Sequence, residues 1–173
     1  PAPLLLGGTG SLSEQADMPD FLPDRLESGT VNAAGIAGLF EGLQFVSKVG
    51  ESEIAAWECK LRDLVTEKLR EVPGVTVYTS PDPQKQTGVL SFTCRQLPCE
   101  IVAQRLAEHN ICVRAGLHCA PLAHSTAGTL ETGTVRISPG WFQSVRQMRK
   151  FCDILAHICG KESDQICDEV FTH

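Results

Sequence analysis

Apolar residues take up helical spacing only from about residue 33 onward. Before that point Gly7-Gly8-Thr9-Gly10-Ser11, Pro19, Pro23 and Gly29 leave little room for regular structure. A loop-rich stretch of that length is uncommon inside a compact domain, so residues 1–32 read as active-site loops that belong to a larger body. Ile36, Leu39, Leu43 and Val46 then recur on one stripe, predicting a helix over 33–49 with Asn32 as its N-cap and Gly50 as its stop. Gly35, Gly38 and Gly42 lower its intrinsic propensity and suggest that one face packs closely on another element. A second helix is expected over 52–72, with Ile54, Trp57, Leu61, Leu64, Val65 and Leu69 on one side and Pro73-Gly74 ending it.

Beyond residue 74 the period changes. Short strands are predicted at 75–78, 88–94, 111–114 and 134–138, with Pro98 opening a helix to about Asn110 and a closing helix over 143–159. The segment 116–133 reads as a long loop. From residue 51 the order is αββαββα, which implies an α+β fold with a roughly four-stranded, mostly antiparallel sheet and helices packed on it. The polar residues 161–173 read as a frayed tail.

Charge and composition narrow the functional classes. A net charge of −6 argues against a nucleic-acid surface or an anionic membrane surface. The densest basic cluster, Arg146, Arg149 and Lys150, reads as a solvated helix face. No apolar run is long enough to span a bilayer. The start, Pro1 to Leu6, lacks the basic residues of a signal peptide. The expectation is therefore a cytoplasmic, reducing environment. Eight cysteines stand at 59, 94, 99, 112, 119, 152, 159 and 167, none in a C-x-x-C pair and none at zinc-site spacing, so no metal is expected. Cys112, Cys152 and Cys159 sit where an apolar residue belongs and read as core fillers.

Cys119 differs. In Arg114-Ala-Gly-Leu-His118-Cys119-Ala-Pro121 a strand ends, a glycine frees the backbone, and a thiol follows between His118 and His124. A loop presents the thiol to solvent, and neighbouring cationic groups favour the thiolate. Two readings stand level at this point: a nucleophile, or an ordinary loop cysteine beside two surface histidines.

The same string resembles the active-site cysteine loop of the cysteine desulfurases, members of the class V aminotransferase family. Three further segments match in order: Gly7 to Ser11 resembles the family's glycine-rich loop, Arg25-Leu-Glu-Ser-Gly29-Thr30-Val-Asn32 its Arg-Phe-Glu-x-Gly-Thr-x-Asn stretch, and Gly133 to Ser138 its substrate-carboxylate strand. The resemblance implies the small C-terminal domain of a pyridoxal-phosphate-dependent enzyme of fold type I. In that reading 1–32 are loops of the large cofactor domain, 33–50 an interdomain helix and 51–160 the small domain.

The resemblance also implies roles. Cys119 would take sulfur from L-cysteine as a persulfide and leave L-alanine. Arg136 would bind the substrate carboxylate, with Arg114 and His118 beside it. Gly29 and Thr30 would reach the phosphate of pyridoxal phosphate in a neighbouring subunit of a homodimer, and a sulfur-acceptor protein is a further partner. The family's Schiff-base lysine follows a histidine, whereas none of the six lysines here does. The chain is therefore expected to be about the last two-fifths of such an enzyme and inactive by itself. A selenocysteine lyase and another class V aminotransferase are the alternatives among enzymes. A non-catalytic interaction or sulfur-acceptor module is the alternative outside them.

Overall fold

The computed structural model describes the backbone of residues 2–12 and 14–170, with side chains to residue 160 apart from Gln84. Contacts group the chain into two units, Pro1–Val49 and Gly50–His173. Among the described residues no helix is long and apolar enough to cross a membrane.

In the first unit the Gly-rich segment and the stretch before the first helix meet. The Gly29 N–H donates to the Gly8 carbonyl at 2.8 Å, and Ser11 bonds Asp24. Helix α1 (Ala33–Val49) starts as its cap predicts: Asn32 Oδ1 accepts from the Gly35 N–H at 2.9 Å. Among the described residues the close packing expected of its glycines is absent. A Cβ at Gly38 or Gly42 would meet nothing within 4 Å, and one at Gly35 would meet only the Asn32 cap. None of α1 is buried, and Ile36, Leu39, Phe40 and Leu43 are exposed.

The second unit runs α2 (Glu51–Arg70), β1 (Val75–Tyr78), β2 (Leu90–Cys94), α3 (Cys99–Glu108), β3 (Arg114–Gly116), α4 (Pro121–Ala127), β4 (Thr134–Ile137) and α5 (Val145–Val170). Its four strands form one antiparallel sheet in the order β1-β2-β4-β3. Period-two alternation sorts the sheet into two faces. Leu90 and Phe92 of β2 and Val135 and Ile137 of β4 join Val65 and Leu69 of α2, Val102 and Leu106 of α3, and Phe151 and Leu155 of α5 in the core. Phe92 meets Phe151 edge-on, with ring centroids 6.2 Å apart. Ser91, Thr93, Thr134, Arg136 and Arg114 alternate onto the opposite face.

Several expectations change. The third strand starts at Arg114 rather than Ile111, because Asn110 at φ +59° turns the chain first. Ile111 and Val113 still lean on the core, but Cys112 between them is exposed and is no core filler. Cys99, at the start of α3, is buried and donates to the Thr132 carbonyl at 3.2 Å. The presumed loop 116–133 contains α4, begun by Pro121 and closed by Gly128 in the left-handed conformation. The expected polar tail is helical in its backbone as far as Val170, while residues 171–173 lie outside those described. One buried charge was not anticipated: Arg62 donates to the carbonyls of Gln86 and Thr87 at 3.0 and 2.8 Å and so holds the turn that feeds β2.

Candidate active site

The polar face of the sheet carries an unusual pair. Antiparallel register places Arg114 of β3 directly opposite Arg136 of β4. Like charges facing each other across two strands repel, so the arrangement favours an anion between or beside them. Arg136 is half-buried and its Nε is buried without a partner. A guanidinium held this way has an unused donor, which a carboxylate can satisfy.

His118 joins them through the backbone. β3 ends at Gly116, at φ +104°, and Gly133 just ahead of β4 lies so close that a Cβ there would sit 3.0 Å from Gly116 Cα. That approach starts the cysteine loop immediately beside β4, and His118 Nε2 meets Thr134 Oγ1 at 3.0 Å. Its Nδ1 is buried with no partner. The ring also lies 5.7 Å from that of His124, which is buried and bonds Thr129 Oγ1 at 2.8 Å. Burial first, then the charge of Arg136, the His124 ring and the charge of Arg114, push the His118 pKa below its ordinary value. At neutral pH His118 is thus an uncharged imidazole.

Cys119 follows on a strained turn. Leu117 C=O accepts from the Ala120 N–H at 2.9 Å, with His118 at φ +52° and Cys119 at φ +58° between them. Two successive positive φ values are the mark of a type I′ turn, where Asn and Gly are usual. A histidine and a cysteine there are strained, and strain of this kind gathers at functional sites. The turn exposes the Cys119 thiol while its neighbour His118 points back to the sheet. Burial elsewhere makes thiols sluggish: it raises the Cys99 pKa, helped by Glu100, and pushes Cys152 up to about 11.

The structure therefore brings Arg114, Arg136 and His118 to one face of the sheet, with Cys119 on the turn that follows. Gly29 and Thr30 lie in the first unit, where the Gly29 N–H is already used by Gly8 and Thr30 is exposed two residues ahead of the α1 cap. Thr134, the hydroxyl that anchors His118, went unnoticed in the sequence. Its signal was there, since it stands two residues from Arg136 on the same strand face.

The lowered His118 pKa has a consequence for stability. Below about pH 6.5 an unfolded histidine takes up a proton that the folded one resists. The stability owed to neutral His118 is complete above that pH. It is lost as pH falls from there through the lower folded value. His118→Gln is expected to flatten this part of the stability profile, as read by urea midpoints between pH 7.5 and 5; an unchanged slope would contradict the assignment.

Comparison with known proteins shows what the chain as a whole resembles. The family model described as Aminotransferase class-V matches residues 2–151. A protein of Methanothermobacter thermautotrophicus named "Probable cysteine desulfurase" is 32% identical over 163 residues, covering 91% of this chain and 40% of that one. The structure of a cysteine desulfurase from Thermococcus onnurineus superposes with a TM-score of 0.75 at 31% identity, over 92% of this chain and 40% of the other. An Escherichia coli cysteine desulfurase structure gives 0.69 at 25% identity, over 95% and 39%. The chain spans about two-fifths of the length of these relatives. With a match over most of its length, it belongs to the class V aminotransferase family.

Proposed function

We propose that this chain is the C-terminal region of a cysteine desulfurase, and that Cys119 accepts the sulfur. The observation that carries the reading is the Cys119 turn: an exposed thiol in a strained two-residue turn, reached directly from a strand that faces Arg136. Family membership and the similarity to cysteine desulfurases support it.

The residues present fit one end of pyridoxal phosphate. Thr30 offers an exposed hydroxyl beside the N-terminus of α1, a place that suits a phosphate. None of the six lysines of this chain follows a histidine, as the Schiff-base lysine of the resembled family does. When bound in the parent enzyme, pyridoxal phosphate supplies the electron sink at the substrate α-carbon. Arg136 fixes the substrate carboxylate with its guanidinium fork, and Arg114 adds positive charge beside it. Neutral His118, tied to Thr134, positions the turn and adds no competing charge. Cys119 Sγ attacks the substrate sulfur as the carbon–sulfur bond breaks, so one sulfur passes to Cys119 and the remaining carbon skeleton, once protonated, leaves as L-alanine.

Exposure of Cys119 suits onward transfer to an acceptor protein, with iron–sulfur cluster assembly as one destination, in the cytoplasm. The exposed apolar stripe of α1, with Ile36, Leu39, Phe40 and Leu43, suits burial against the remainder of a homodimeric enzyme. The direct test is an assay of the parent enzyme with L-cysteine, pyridoxal phosphate and a thiol reductant. Alanine and sulfide are expected in equal amounts. 3-Mercaptopyruvate without sulfide, the mark of transamination, would overturn the reading. The 173-residue chain alone is expected to form no borohydride-stable cofactor adduct and no alanine.

A further inference from the structure

Away from the Cys119 turn, two buried thiols lie against each other. Cys94 ends β2 and Cys159 lies on α5, 65 residues later, and their Sγ atoms are 3.1 Å apart. A disulfide is about 2.05 Å long, so closing one here asks for about 1 Å of movement. Both side chains are nearly inaccessible, at 7% and 3% exposure, yet Cys159 lines an open cavity of about 360 Å³ between the end of α2 and α5. Gln96 lines the same cavity, and its Oε1 accepts from the Cys94 thiol at 3.6 Å. A small oxidant can therefore reach one partner of the pair, with a polar group beside the other.

We propose that Cys94 and Cys159 are an oxidation site that closes to an intrachain disulfide and ties the end of the sheet to α5. Hydrogen peroxide is the oxidant. It oxidises Cys159 to the sulfenic acid with release of one water, and Cys94 Sγ then displaces hydroxide from that sulfur, which leaves with the thiol proton as a second water. Two thiols thus give up two protons and two electrons to one peroxide. Cys152 lines the same cavity on α5 and is left reduced.

The bond would close a long loop, which in folded proteins raises thermal stability. The test treats the full chain with stoichiometric hydrogen peroxide, blocks remaining thiols in denaturant and maps the peptides without reduction. A linked peptide joining Cys94 to Cys159 is expected, with an intact mass lower by two hydrogens. Tm should rise by roughly 5 °C or more and return on adding dithiothreitol. Cys152→Ala should keep both effects; Cys94→Ala and Cys159→Ala should lose them. Complete blocking of Cys94 and Cys159 after peroxide, or a dithiothreitol-sensitive Tm rise that survives in Cys94→Ala, would overturn the proposal. If the alanine variants do not fold, the wild-type peptide map decides alone.

Discussion

Cys119→Ser in the parent enzyme is expected to lower desulfurase turnover by at least about 10³-fold while leaving pyridoxal phosphate bound. Removing the covalent nucleophile of an enzyme that works through a covalent intermediate commonly has an effect of that order. Serine keeps the shape of the turn, and its left-handed backbone is no harder for serine than for cysteine, so the fold is expected to persist. Only the ability to hold a second sulfur goes. Turnover and the visible absorbance of the cofactor separate the two effects. Turnover within tenfold of wild type would remove Cys119 from the chemistry.

The second large effect belongs to Arg136. Arg136→Ala is expected to lower kcat/KM for L-cysteine by about 100-fold, the size of a lost charge-assisted pair to a carboxylate. Arg136→Lys should recover only part, because an ammonium cannot reproduce the planar fork. A second readout distinguishes binding from architecture. Arg136 faces Arg114 across the strands and its Nε is buried and unpaired, so its removal relieves repulsion. The ligand-free alanine variant should therefore unfold at the same or a higher urea concentration. A clear loss of stability together with an unchanged KM would mark Arg136 as structural.

Much of this was readable before any coordinates, and for local reasons. Asn32 with Gly50, and Pro73-Gly74, are punctuation that acts within a few residues, so α1 and α2 fall within two residues of their expected ends. The core stripe of α2, with Leu61, Val65 and Leu69, follows from the helical period. The motif strings around Thr30, Cys119 and Arg136 were legible because they are contiguous. What was not legible depends on partners far apart in the chain. The opposition of Arg114 and Arg136 needs the register of β3 on β4, and the hold of Thr134 on His118 needs Gly116 against Gly133. Cys112 was misplaced because a three-residue apolar run looks the same in a strand and in the irregular segment that follows Asn110. Helix α4 was missed although Pro121 and Gly128 bracket it, since seven residues carry too little periodicity to announce a helix. For the glycines along α1, no packing neighbour lies among the described residues.

The claim that Cys119 is the sulfur acceptor is tested most directly by locating the sulfur itself. The parent enzyme, loaded with pyridoxal phosphate and given one equivalent of L-cysteine without reductant, would be quenched with an alkylating agent and mapped by mass spectrometry. The account predicts one added sulfur on the peptide carrying Cys119, in step with the alanine formed, and none on the peptide carrying Cys112, the other exposed thiol among the described residues. Alanine formed in full with the sulfur on Cys112, or with Cys119 carrying none, would contradict it.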